Sequence, residues 1–441
     1  MDDKALDFLA IGLGPFNLGL ACLAHPIANL EAVFLEQKEQ FAWHPGMLLE
    51  GATLQTPFLG DLVTMADPTS PFSFLNYLKA HGRIFAFYIR ENFFPSRTEY
   101  NQYCQWVADQ LPTITFGRKV ERVDYDEAER IYRVQSLCTE TGRRYVHRAK
   151  RLVLGTGTAP HVPLCCRGVA SRVLHTAGYL DDKASLQARR SITIVGSGQS
   201  AAEVYYDLLK DIDRFGYALN WITRSPRFFP LELTKLTLEM TSPDYTDYFH
   251  ELSEHKRDAL IESQKGLYKG INVSLISDIY SLLYEKSLAG PVHTALYTNT
   301  EMRACEFDEA SGTFSLDLYQ REQEIAFRRE ADALILGTGY SYRLPEFLQP
   351  IAGRIAWDHS GRFVVGRNYS VDVHGGEIFV QNAELHTHGF VAPDLGMGCY
   401  RNACILREIL GYEHYPIERR IAFQRFGAPA ALHPLSEAAW T

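Results

Sequence analysis

Apolar and polar positions along the chain follow one pattern that occurs twice. Phe8-Leu-Ala-Ile11 is a short apolar run, a glycine turn follows it, and beyond the turn apolar residues recur at helical spacing as far as Ala24. A second apolar run at 30–35 ends on Glu36 and completes a strand-helix-strand unit. The same order returns from Arg190: an apolar strand, a glycine turn, a helix through Leu209, and a strand at 219–223 ending before Arg224. A repeat of this kind is far harder to obtain by chance than one motif.

Two further apolar runs end in the same tripeptide, Leu152-Val-Leu-Gly-Thr-Gly157 and Leu334-Ile-Leu-Gly-Thr-Gly339. One precedes the second strand-helix-strand unit and the other follows it, so one domain is expected to be inserted into another. The predicted division is a discontinuous first domain at 1–165 and 331–441, split by a second at 166–330. Within the second, about 228–285 turns polar and helical and predicts a small helical subdomain. The fold class expected is α/β, with two Rossmann-like dinucleotide-binding domains.

Composition narrows the partners. The chain of 441 residues is 46% hydrophobic and 22% charged, which excludes a disordered or coiled-coil chain. A net charge of -9 supplies no basic field for nucleic acid or an anionic membrane, so neither is an expected partner. The apolar N-terminal stretch is interrupted by glycines, preceded by two aspartates and too short to span a bilayer. Eight cysteines are scattered without C-x-x-C or zinc-type spacing, so no metal is expected and a reducing cytoplasm is the predicted setting.

The glycine turns carry the candidate chemistry. Gly12-x-Gly14-Pro15-x-Asn17 allows close approach of a pyrophosphate to a helix N-terminus, although Asn17 replaces the last glycine of the usual fingerprint. Glu36 is placed to accept ribose hydroxyls. In the second turn, Gly196-Ser197-Gly198-Gln199-Ser200-Ala201, the following strand leads into Arg224-Ser225 rather than a carboxylate, which suits a 2′-phosphate. An acidic ribose partner and a basic phosphate partner make a pair of cofactors, FAD and NADPH. A solvated surface position is the other reading of Arg224. No disulfide redox pair is present to take electrons from the flavin, which directs them to oxygen.

These motifs, with Phe41-Ala-Trp-His-Pro-Gly-Met47, Leu54-Gln-Thr56, Asp61-Leu-Val63, Asp67-Pro-Thr-Ser-Pro-Phe72, Gly337-Thr-Gly-Tyr340 and His386-Thr-His-Gly389, resemble the flavin-dependent N-hydroxylating monooxygenases of siderophore biosynthesis. The best-known members are the lysine 6- and ornithine 5-monooxygenases. The resemblance implies hydride transfer from NADPH to FAD, a C4a-hydroperoxyflavin formed with O2, and attack by a neutral primary amine to give an N-hydroxylamine. It also implies a homo-oligomer, a dimer or tetramer. By position it assigns Trp43, His44, Met47 and Gln55 to the flavin, with packing as the other reading of Trp43 and Met47. Ser197, Gln199 and Ser200 fall to the nicotinamide nucleotide, and Gly339 and Tyr340 to the cofactor region. Gln55 and Asn272 are the candidate catalytic residues. Asn272 is also read as a substrate contact or a helix cap, and Asn299 is a weaker substrate candidate. His388 is a catalytic or a structural histidine.

Two departures bear on substrate. The ornithine enzymes carry a lysine for the substrate carboxylate where this chain has Gly60, and Asp394 and Gly396 stand where they have an apolar residue and a serine. Losing a cation and gaining a carboxylate suits an aliphatic diamine, cadaverine or putrescine, with O2 as co-substrate. L-lysine or L-ornithine is the alternative, and Asp394 capping a turn is the other reading of that residue.

Overall fold

The computed structural model describes residues 4–429, so the outermost ends of the predicted first domain, 1–3 and 430–441, lie outside the described residues. Two five-stranded parallel sheets organise the fold. In the first, Phe8–Ile11 lies between Ala32–Leu35 and Leu152–Leu154, with Ile114–Thr115 and Ile378–Val380 at the edges. In the second, Ser191–Val195 lies between Ala218–Ile222 and Ala333–Leu336, with Thr294–Tyr297 and Leu174–His175 outside them. Continuous apolar runs such as Phe8-Leu-Ala-Ile11 are buried along their whole length, as strands covered on both faces require.

The repeat extends beyond the glycine turns. A three-stranded antiparallel meander, Arg118–Asp126, Ile131–Cys138 and Arg144–Ala149, leads into Leu152–Leu154. Its counterpart, Thr300–Asp308, Thr313–Gln320 and Ile325–Ala331, leads into Ala333–Leu336.

One predicted boundary moves. A division at 331 gives the strand Ala333–Leu336 to the first domain, but its residues pair in parallel with Ile192 to Val195 of the second sheet. The strand end also packs on the second glycine turn: a Cβ on Gly196 would stand 2.1 Å from the Gly337 carbonyl oxygen, and one on Gly337 2.6 Å from the Ala201 Cβ. The first sheet is not rejoined until Ile378–Val380.

The segment expected to be helical contains Pro243–Glu251, Glu254–Ser263 and Val273–Ser287. It divides its packing. The first two helices rest on Leu385–His388, which follows the last strand of the first sheet, while Val273–Ser287 packs on Gln199–Phe215 of the second unit. The segment therefore bridges the two units. Arg362 reinforces the bridge by pairing with Glu254 at 2.7 Å and Asp258 at 3.0 Å. Among the described residues no helix is long and apolar enough to cross a membrane.

Candidate functional site

The first glycine turn is built for close backbone approach. Gly12 has φ +86°, and a Cβ there would stand 2.5 Å from the Gly155 carbonyl oxygen. The helix Pro15–Ala24 begins after Gly14 with no side-chain cap, which leaves its first N–H groups to bind an anion. Glu36 is buried at the neighbouring strand end, where its carboxylate accepts the Leu13 N–H at 2.7 Å and the Lys38 N–H at 2.9 Å. These features fit the pyrophosphate and ribose of a dinucleotide.

The Asn17 side chain is spent on the turn itself. Its Nδ2 donates to the Gly12 carbonyl at 2.7 Å, and its Oδ1 accepts from Gln381 Nε2 at 2.8 Å. Gln381 also donates to Asn402 Oδ1 at 3.0 Å. Asn17 is 1% exposed, so the residue in place of the third glycine locks the turn to the core.

The stretch after Phe41 runs to the second unit. The Trp43 N–H donates to Asn101 Oδ1 at 2.9 Å, and the half-buried indole packs edge-on to Tyr100. His44 adopts φ +47° and sits with its ring 5.0 Å from Trp43 and 5.7 Å from Tyr340. Tyr340 in turn lies 5.2 Å from His175, whose Nε2 is 3.0 Å from the Gly339 carbonyl. Met47 is packed, which is the other reading that the sequence left for it. It is buried in the core cluster of the second unit with Tyr179, Tyr205 and Trp221, because Gly46 lets the chain close on the Ala177 carbonyl.

The second glycine turn repeats the first. Gly196 has φ +138°, and the helix Gln199–Phe215 follows Gly198 without a side-chain cap. Ser197 Oγ lies 3.1 Å from Ser225 Oγ, so the turn and the neighbouring strand end meet. Ser200 is half-buried in the first turn of the helix, and Arg224 is exposed beside Ser225. Sequence reasoning missed Lys265 and Lys269 here. Burial pushes the Lys269 ammonium below its ordinary range, and the charges of Lys265 and Arg224 push it the same way, against Glu262. The cations come from segments remote in sequence, and no fingerprint spacing announces them.

Gln55, Gln199 and Asn272 meet where the units join. Gln199 Oε1 accepts from Gln55 Nε2 at 3.2 Å and from the Asn272 backbone N–H at 2.8 Å. Gln199 Nε2 donates to Glu203 Oε1 at 2.8 Å, and Arg97 Nη1 donates to Glu203 Oε2 at 2.7 Å. Burial raises the Glu203 carboxyl above its ordinary range, while Arg97 and Gln199 oppose that rise. Neither Arg97 nor Glu203 was legible as a site residue. The Asn272 side chain caps Val273–Ser287, its Oδ1 accepting the Ser274 N–H at 2.9 Å.

The substrate candidates separate into two groups. Gly60 lies against Gly396, since a Cβ on Gly60 would stand 3.3 Å from the Gly396 α-carbon and 2.3 Å from Thr56 Cγ2. Asp394 adjoins them, and its Oδ1 accepts the Gly396 N–H at 2.8 Å, which is the turn cap that the sequence allowed. Burial pushes the Asp394 carboxyl up, against that N–H and the Arg401 charge. Asn299 lies elsewhere: its N–H donates to the Ser225 carbonyl at 2.9 Å, which places it with the second glycine turn. Its φ of +49° marks it as a turn residue leading into Thr300–Asp308.

Beneath the Asp394 turn, Arg401 and Glu384 form an ion pair at 2.9 Å with both side chains fully buried. His388 is buried and stacked on Tyr369 at 4.6 Å, with Thr387 Oγ1 2.9 Å from its Nδ1. Burial holds its imidazole well below the ordinary range, as a neutral structural ring requires. Cys165 and Cys166 have sulfurs 4.0 Å apart and unbonded.

Two glycine cradles with uncapped helix starts, joined through polar contacts such as Gln55 with Gln199 and Arg97 with Glu203, define the architecture of an oxidoreductase that holds two dinucleotides. The chain belongs to the L-lysine 6-monooxygenase/L-ornithine 5-monooxygenase family, whose profile matches residues 4–342. It is 55% identical to a putrescine N-hydroxylase of Shewanella oneidensis over 97% of this chain and 85% of that protein. A crystal structure of the FAD-bound cadaverine monooxygenase of the desferrioxamine pathway from Erwinia amylovora matches with a TM-score of 0.95 at 56% identity. That match covers 98% of this chain and 100% of the other. An ornithine N-hydroxylase of Kutzneria, solved with reduced FAD, NADP+ and L-ornithine, matches with a TM-score of 0.84 at 25% identity, covering 92% and 99% of the two chains.

Proposed function

We propose that this protein is an FAD- and NADPH-dependent monooxygenase that N-hydroxylates one primary amine of an aliphatic diamine, putrescine or cadaverine, for hydroxamate siderophore biosynthesis. The observation that carries the reading is the contact of Gly60 with Gly396 beside Asp394: a carboxylate stands next to a position that carries no lysine. A substrate with a distal ammonium and no carboxylate complements it. The higher identity to the putrescine and cadaverine enzymes than to the ornithine enzyme supports the same choice.

When bound, FAD supplies hydride acceptance from NADPH and activation of O2 for transfer of one oxygen atom to the amine. The chain's own residues bind and orient. Gly12, Gly14, Pro15 and Glu36 would hold the adenosine diphosphate portion of FAD, with Trp43 and His44 bordering the same cofactor. Gly196, Ser197, Gly198, Ser200 and Ser225 would hold NADPH, and Arg224 with Lys269 would meet its 2′-phosphate. Gln55 and Gln199 tie the two cradles together. Asp394 would hold the distal ammonium and so direct the other amine inward. That amine must be neutral to react, and a desolvated recess lowers its ordinary value of about 10.4, so no dedicated base is needed.

The catalytic roles of Gln55 and Asn272 remain part of this proposal, as does placement of Tyr340 at the cofactor. We further propose a cytoplasmic homo-oligomer, dimer or tetramer. The exposed Val273, Tyr280 and Tyr284 on one helix, with Leu288 just past its end, support self-association. The deciding experiment measures NADPH oxidation and hydroxylamine formation with putrescine, cadaverine, L-lysine and L-ornithine. Tight coupling is expected with a diamine, and tight coupling with an α-amino acid alone would overturn the reading.

A further inference from the structure

The polar contact between the units has a direction fixed by one charge. An ionised carboxylate only accepts hydrogen bonds, so Glu203 compels Gln199 to turn its NH2 toward it, at 2.8 Å. Gln199 Oε1 must then face the opposite way, where it takes the Asn272 N–H and Gln55 Nε2. Gln55, having given its NH2 to Gln199, is left to present its carbonyl end. An amide side chain without such a neighbour has two nearly equivalent orientations. Here the choice runs from Glu203 through Gln199 to Gln55.

The charge is set from the other unit. Glu203 is 6% exposed on the helix of the second glycine turn, and its partner Arg97 begins the helix Arg97–Ala108 of the first. Gln55 stands between the second glycine turn, which its amide touches, and the Gly60–Gly396 contact, which its neighbour Thr56 touches. The chain of bonds is complete only while the two units are docked.

We propose that Glu203 is a positioning residue: held by Arg97, it fixes which end of the Gln55 amide is presented to the reacting centre, and thereby ties oxygen transfer to the docked arrangement of the two units. The inference rests on the monooxygenase reading above. In the coupled reaction, amine, O2, NADPH and a proton give hydroxylamine, NADP+ and water. With the amide reversed, O2, NADPH and a proton give hydrogen peroxide and NADP+, and the amine is unchanged.

The test is the ratio of hydroxylamine to hydrogen peroxide formed per NADPH, with flavin content and Tm recorded beside it. In Glu203→Gln either end of the new amide can face Gln199, and the ratio is expected to fall about tenfold, the worth of one hydrogen bond to a charged group, while NADPH still reduces the flavin. Gln199→Met keeps the Arg97–Glu203 pair and so guards against a folding defect, and it should lower the ratio alike. The double variant should match Gln199→Met alone, because residues acting through one another are not additive. An unchanged ratio in Glu203→Gln, or fully additive losses in the double variant, would overturn the proposal. Failure of the wild-type protein to form hydroxylamine from any amine would instead overturn the reading beneath it.

Discussion

Gly60 and Gly396 touch: a side chain begun on Gly60 would have its first carbon 3.3 Å from the Gly396 α-carbon. Two positions that are far apart in sequence and that both lack a side chain therefore pack against each other, with the Asp394 carboxylate bonded to the backbone of Gly396. The absence of a cation at Gly60 and the presence of an anion at Asp394 are properties of one place.

Placing a lysine at that contact should exclude a diamine. Gly60→Lys alone is strained, since its Cβ would meet Thr56 Cγ2 at 2.3 Å, so Thr56→Ser is needed to remove that methyl. The Thr56→Ser/Gly60→Lys protein is expected to lose about 100-fold or more in kcat/KM for putrescine and cadaverine, through like-charge repulsion and lost space. Thr56→Ser alone should stay within about fivefold of wild type, because one methyl is worth only ~1 kcal/mol at the low end. Steady-state hydroxylamine assays on both proteins check this.

Asp394→Asn should raise KM for a diamine about 10-fold or more with a smaller change in kcat, since the distal ammonium loses a charge-assisted partner. The pH dependence follows from the same group. Burial raises the Asp394 carboxyl, so as pH falls through that raised value the carboxylate is protonated and ammonium binding is lost. KM should therefore climb on the acid side in the wild type, and Asp394→Asn should abolish that climb. An equal acid-side climb in the variant would assign it to another group.

Much of this arrangement is legible in the sequence because it is local. Strand, glycine turn and helix sit within about twenty residues, and Gly12 and Gly196 announce backbone approach by type alone. The alternation in Arg118–Asp126 and Ile131–Cys138 also holds a strand signal, which the nucleotide motifs overshadow. What fails to show is whatever needs two remote segments to meet. Asn17 reads as a degraded fingerprint until Gln381 and Asn402 are beside it, and the packing of Met47 shows only once Gly46 closes on Ala177. The boundary at 331 fails for the same reason, since parallel pairing of Ala333–Leu336 is a tertiary fact. Lys269 and Glu203 carry charge without any spacing rule to give it meaning.

Lys269 should distinguish NADPH from NADH. With Lys265 and Arg224 acting on it, it belongs to a cluster in which three cations meet the one carboxylate of Glu262, and an incoming phosphate would relieve the remaining repulsion. Lys269→Met is expected to raise KM for NADPH about tenfold and leave that for NADH nearly unchanged, since only the former carries a 2′-phosphate. Flavin reduction rates at varied nucleotide concentration read both values. An equal loss with the two nucleotides would place Lys269 on their shared portion instead.

The buried Arg401–Glu384 pair should dominate the stability of the wall behind Asp394. Both side chains are inaccessible, Arg401 also donates to the Ala392 carbonyl at 2.7 Å, and its guanidinium lies 4.5 Å from the centre of the Phe16 ring at the first glycine turn. Removing one partner strands the other charge in a dry interior, which costs about 3–5 kcal/mol, whereas removing both can be close to neutral. Arg401→Met should therefore lower Tm by several degrees and weaken FAD retention through Phe16. Arg401→Met/Glu384→Gln should recover most of the Tm but not the hydrogen bond to Ala392, so FAD retention should recover less. Thermal melts with flavin fluorescence as a second signal separate the two effects, and equal recovery of both would mean that the ion pair acts on the fold alone.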